Sequence, residues 1–227
     1  MKREVRMEDI SDGKLYTAND LVKADCGDCE GCSACCCNMG TSIVLDPLDI
    51  KRMTSGLDMK FEQLLSNYVE LNVVDGGILP NLKMSGEKNC CAFLDENGRC
   101  RIHAIRPGIC RLFPLGRFYE NGEFRYFLQT HECKKENRTK VKVKKWIDTP
   151  DLKRYEKYIR DWHYFLVELQ ERLSRIPDEM MMKKINMLVL QSFFLEPYQE
   201  EEDFYAQFEE RLVKIRQSFE VLSGAEE

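Results

Sequence analysis

The chain divides by the period of its apolar positions. In the C-terminal third, Leu152, Tyr155, Ile159, Trp162, Leu166, Leu169 and Leu173 recur at steps of three and four, the stripe of an amphipathic helix. Pro177 interrupts it, the run MMMKKINMLVLQSFFL follows, and Pro197 separates that run from a third one. There Phe204, Phe208, Leu212, Ile215, Phe219 and Leu222 stand at near-heptad spacing. The pattern predicts three helices, packed on one another and on the rest of the chain. The same faces could instead dock a protein partner or a second copy.

The N-terminal two thirds has shorter periods. Asp46-Pro47 reads as a helix start, Asp as N-cap and Pro in the first turn, with the helix running to about Ser55 and stopping at Gly56. Asp58 is then expected to cap a second helix, LDMKFEQLLSNYVE, with Phe61, Leu64, Leu65 and Tyr68 on one face. Three turn signals follow, Asp75-Gly76-Gly77, Asn97-Gly98 and Asn121-Gly122, each between runs that could be strands. The second hairpin would carry Cys91 and Cys100 on its two arms. The lysine-rich VKVKKW at 141–146 reads as a connector or strand rather than a nucleic-acid patch, because acidic segments surround it. The expected fold class is α+β: a small cysteine-rich metal-binding domain of short hairpins and helices at 20–147, then an all-helical segment at 148–227.

Composition narrows the setting. Hydrophobic residues make up 43% and charged residues 32%, as in ordinary globular proteins, and the net charge of −5 offers no global basic field for nucleic acid. The first residues, MKREVRMEDISDGK, contain no apolar stretch of the kind that leads or anchors a secreted chain, and MLVLQSFFL at 187–195 is too short to span a bilayer. The expectation is a cytoplasmic protein with no membrane or nucleic-acid partner.

That setting bears on the cysteines. All eleven lie between Cys26 and Cys133, six of them within CGDCEGCSACCC at 26–37. Reducing compartments keep thiols free, so a dense pattern there favours metal over disulfides, and an odd total fits a disulfide framework poorly. Cys26, Cys29, Cys32 and Cys35 repeat at every third position, and a Cys-x-x-Cys turn aims two sulfurs at one ion. Cys-x-x-Cys-x-x-Cys also wraps three corners of an iron–sulfur cube, the fourth ligand arriving from a distance. Zinc and iron both remain open on this spacing.

CEGCSACC (29–36), CAFL and GRCRIHAIRPGICRLFP together resemble the CxxCxxCC cysteine-cluster family, called YkgJ-like, whose members are described as zinc- or iron-chelating domains. The resemblance covers roughly 26–133 and maps the family's eight cysteines onto Cys29, Cys32, Cys35, Cys36, Cys91, Cys100, Cys110 and Cys133. Cys26, Cys37 and Cys90 fall outside that set. His103 stands where the family usually shows Tyr, and neither it nor His131 is expected to ligate; His163 is expected to be structural. Some relatives in signature are described as flagellin lysine N-methylases, which implies S-adenosylmethionine as a further cofactor. No Gly-rich dinucleotide-type loop is present to support that reading from residues.

Four thiolates on zinc, or on a 4Fe–4S core, leave about −2 of charge to be compensated. Arg106 and Arg111 flank Cys110 and are expected to neutralise it or to grip an anionic cofactor or substrate group. Phe113-Pro114 would pack as a lid. The leading expectation is therefore an iron–sulfur protein with a redox or methyl-transfer role. Its alternative is a non-enzymatic zinc module with two four-cysteine sites.

Overall fold

The computed structural model describes residues 6–27, 32–135 and 137–224. In chain order the first part comprises α1 (Met7–Ile10), β1 (Leu21–Asp25), α2 (Pro47–Leu57), α3 (Phe61–Asn67), β2 (Val69–Val74), β3 (Gly77–Leu82), β4 (Met84–Ser85), β5 (Cys90–Cys91), α4 (Gly108–Leu112), β6 (Leu115–Glu120), β7 (Glu123–Leu128), β8 (Thr139–Lys142) and α5 (Val143–Ile147). The helical part follows as α6 (Leu152–Leu173), α7 (Glu179–Leu190), a π turn at Gln191–Leu195 and α8 (Phe204–Gly224). The architecture is α+β, with the strands paired antiparallel as β1–β8, β2–β3, β4–β5 and β6–β7.

Two of the three turn signals make hairpins. Val74 opposes Gly77 across Asp75-Gly76, and Glu120 opposes Glu123 across Asn121-Gly122. All four turn residues have positive φ, the backbone that lets a two-residue loop follow the twist of its strands. The third signal differs. Asp95 Oδ1 accepts the N–H groups of Asn97 and Arg99, and the arms reduce to one bridge, Leu94 opposite Cys100. A side chain has taken over the bonding that strands would supply, and Cys91 pairs with Met84 instead.

The helix boundaries also move. Asp46 caps α2 as expected, and Asp49 completes a reciprocal capping box with it. Gly56 does not stop the helix: a Cβ there would stand 2.5 Å from Ile105 Cδ1, so the glycine is needed for close packing. Asp58 is the left-handed C-cap of α2 rather than the N-cap of α3. The second helix starts after Lys60, whose N–H donates to Gln63 Oε1. It ends at Asn67, because the β-branched residues from Val69 onward enter the β2–β3 hairpin.

The helical part packs onto the first part without a break in the core. One hydrophobic cluster runs from Val22 through Leu64, Phe93 and Tyr155 to Phe219. Leu169 and Leu173 of α6 lie against the Gly76-Gly77 turn, and Asn186 Oδ1 of α7 accepts the Ile78 N–H at 2.7 Å. Tyr158 of α6 reaches α2, its hydroxyl accepting the Leu48 N–H and donating to Asp46 Oδ1. No helix among the described residues is long and apolar enough to cross a membrane.

Candidate metal centre

Four separate segments bring five cysteines together. Cys35 and Cys36 sit on a 3-10 turn, Ala34–Cys36; Cys91 is on β5; Cys100 closes the Asp95 loop; Cys110 is in α4. Their charges interact across the group: Cys36 with Cys35, Cys91 and Cys110, and Cys100 with Cys35 and Cys91. Cys110 in turn interacts with Cys91, Cys35 and Cys100. All five are half-buried by exposure.

Four of the five thiols are raised and one, Cys35, is lowered. The Cys36 S–H donates to Cys35, which lowers Cys35 to about 7 and raises Cys36. Burial raises Cys91, Cys100 and Cys110, and their neighbours' charges add to it. Such sulfurs give up protons only to something that replaces the positive charge, which is what a thiophilic cation does. Arginine charge assists. Arg106 favours the thiolates of Cys35 and Cys100, Arg99 that of Cys100, and Arg101 that of Cys91. Among the described residues, no three His, Cys, Asp or Glu side chains are placed to hold one metal ion. The donor set fits a metal in chemistry, with sulfur in excess and guanidinium charge beside it.

The other expected residues divide. Cys29 lies outside the described residues. Cys32 and Cys133 are half-buried, and among the described residues no hydrogen bond or disulfide links either to the five. Arg106 meets His103 Nε2 through its guanidinium. Arg111 is turned to backbone: it donates to the carbonyls of Ala104, Arg106 and Asp148, so it fastens the loop ahead of Cys110. Burial lowers Arg111, and the charges of Arg52 and Arg106 lower it further. Pro114 is buried beside half-buried Phe113, whose carbonyl accepts the Trp146 Nε1–H at 3.1 Å.

One expectation fails. Metal was favoured over disulfides for the cysteines as a whole, yet Cys37 and Cys90 are joined by a disulfide across a 53-residue separation. Composition could not show it, because the pairing depends on β5 lying opposite Cys37.

Sequence reasoning also missed a buried polar layer beneath Cys110. Asp49, 2% exposed, accepts the Gly108 N–H at 2.7 Å. Burial pushes Asp49 up to about 8, with the charge of Asp46 adding, and burial raises Asp46 as well. Arg52 and Arg117 lie within charge range of Asp46, and Arg117 Nη2 donates to Tyr155 Oη at 3.1 Å. Among the described residues, buried Arg52 Nη1 and Arg117 Nε have no hydrogen-bond partner. The spacing Asp46-x-x-Asp49 was the available signal, since it is the pattern of a capping box.

Fold and site define a cysteine-cluster, metal-binding α+β domain with a helical C-terminal part. Residues 28–136 match the family model CxxCxxCC, described as "Putative zinc- or iron-chelating domain". The uncharacterized protein MJ0661 of Methanocaldococcus jannaschii is 32% identical over 123 residues, a match covering 52% of this chain and 63% of that relative. No solved structure matches.

Proposed function

We propose that the domain holds an iron–sulfur cluster through Cys35, Cys91, Cys100 and Cys110, and that the cluster serves electron transfer. The carrying observation is the convergence of these sulfurs from four segments, with Cys36 donating to Cys35 and arginine charge alongside. Deprotonated, the four supply the −4 that a cubane core takes from its ligands. Arg106, Arg99 and Arg101 offset the remaining negative charge, and a donor to Cys35 stabilises its thiolate. Cys29, Cys32 and Cys133 belong to the same signature and are available for a further centre. Of the two roles the resemblance implies, electron transfer asks only for the cluster. Methyl transfer would also need a site for S-adenosylmethionine.

A single zinc ion is the second reading, favoured by the fold: β4 and β5 are two residues each, and the Cys100 loop is held by one bridge. Segments so short gain from a structural ion. Purification without oxygen, then absorption and metal analysis, separates the readings. A broad band near about 400 nm with iron and sulfide supports the cluster. Colourless protein containing zinc supports the second reading, and protein that takes up neither metal defeats both.

A further inference from the structure

Two of the three cysteines outside the family's eight are bonded to each other, and their position relative to the centre is specific. Cys37 and Cys90 face each other in an antiparallel bridge. The same register sets Cys36 opposite Cys91 on the inner side and Asn38 opposite Asn89 on the outer side. On the outer side the Asn38 N–H donates to the Asn89 carbonyl at 2.8 Å, and both asparagines are left-handed. Successive side chains on extended backbone point to opposite faces. On β5 the disulfide sulfur of Cys90 therefore lies on one face and Cys91 turns to the other, while Cys36 ends the 3-10 turn just before Cys37 and its charge interacts with that of Cys91. Ser85, Gly86, Glu87, Lys88 and Asn89 are all exposed, and both disulfide cysteines are half-buried, so the bond borders a solvent-facing turn.

We propose that Cys37 and Cys90 form a redox site that controls the metal centre. With the bond closed, the turn carrying Cys35 and Cys36 is clamped against Cys91 and metal is retained; with it open, the clamp is lost and metal leaves faster. The reductant is a dithiol. One of its thiolates attacks a sulfur of the pair, the S–S bond breaks and a mixed disulfide forms. Its second sulfur then displaces the protein thiol. Two electrons and two protons pass to Cys37 and Cys90, and the dithiol leaves as its own disulfide. Closure is the reverse, with an acceptor disulfide. This rests on the metal reading above.

The test compares metal release to a chromogenic chelator from metal-loaded full-length protein, oxidised and after dithiothreitol, for wild type and for the Cys37→Ser/Cys90→Ser variant. Alkylation and mass measurement count the thiols in each sample. Because the variant in dithiothreitol suffers the same competition for metal, it gives the open-state baseline even if the variant is less stable. The expected result is slow release from the oxidised wild type only. Reduced wild type and the variant in either condition should release about 10- to 100-fold faster, the range typical of losing support around ligands. Equal rates from bound metal in all samples, or alkylation showing Cys37 and Cys90 unpaired under oxidising conditions, would overturn the clamp alone. Protein that binds no metal in any sample overturns the centre itself, and the clamp with it.

Discussion

Asp49 Oδ1 accepts the N–H of Gly108 at 2.7 Å, which ties α2 to the first residue of the helix carrying Cys110. Its other oxygen accepts the Asp46 N–H at 3.1 Å, so one buried carboxyl closes a capping box and fixes a cysteine-bearing turn together. Asp49→Ala leaves the Gly108 N–H buried and unpaired, a loss of about 1–3 kcal/mol. Asp49→Asn keeps one oxygen acceptor and replaces the other with an NH2 donor. Chemical denaturation should show a clear loss for Ala and a smaller one for Asn, with metal content falling in the same order. Equal behaviour of the two variants would mean the bond to Gly108 does not set the position of Cys110.

Gly108 itself is required by packing. A Cβ there would stand 2.5 Å from Tyr155 Oη and 3.6 Å from Asp49 Oδ1. Gly108→Ala should cost about 1–3 kcal/mol, the usual range for an overfilled interior. Tyr155→Phe removes the obstructing oxygen but also the acceptor of Arg117. The double variant should therefore be more stable than the sum of the two single losses implies, and a double-mutant cycle followed by thermal denaturation measures the coupling.

These relationships show where legibility stopped. The hairpins at Asp75-Gly76 and Asn121-Gly122, the Asp46 cap and the three tail helices are local: turn chemistry and apolar period specify them within a few residues. The cysteines that meet were also recognisable, because thiol chemistry and the family's spacing named Cys35, Cys36, Cys91, Cys100 and Cys110. What escaped was non-local. Gly56 looked like a helix stop because nothing near it reveals Ile105 packing on its bare Cα. Arg111 looked like a ligand grip because its carbonyl partners at Ala104 and Asp148 are fixed only by the fold. The Cys37–Cys90 bond joins residues 53 positions apart, and no period connects them.

Burial and pH supply a third prediction through His163. Its ring stacks on Tyr119 with centroids 3.5 Å apart, and burial lowers it from 6.5 to about 4. The folded state thus binds fewer protons than the unfolded chain between these values. The associated stability is present above about pH 6.5 and is lost as pH falls toward 4. Because the ring is partly exposed, the loss is about 1–2 kcal/mol rather than the full linkage value. Asp46 and Asp49 act in the opposite sense, since raised carboxyl values favour the fold on acidification. The comparison of wild type with His163→Phe, which keeps an aromatic ring on Tyr119, isolates the histidine. Thermal melts from pH 7 to 4 should fall less steeply for the variant.

The hydrogen bond between Cys36 and Cys35 makes the last prediction, because it assigns adjacent cysteines different work. Cys36 is raised and donates; Cys35 is lowered and accepts. On the cluster proposed above, Cys36 keeps its proton and steadies Cys35, and the other four sulfurs are the ligands. Cys35→Ser, Cys91→Ser, Cys100→Ser and Cys110→Ser should each weaken metal binding strongly. Dividing roughly 10–16 kcal/mol of site energy among four thiolates gives about 3 kcal/mol each, on the order of 100-fold in affinity. Cys36→Ser keeps a hydroxyl donor and should bind nearly as well as wild type, whereas Cys36→Ala, which removes the donor, should lose about 10-fold, the lower end for support around a ligand. Competitive metal titration reads all of these. If Cys36→Ser loses as much as Cys35→Ser, both neighbours are ligands, and the proton placed on Cys36 leaves when metal arrives.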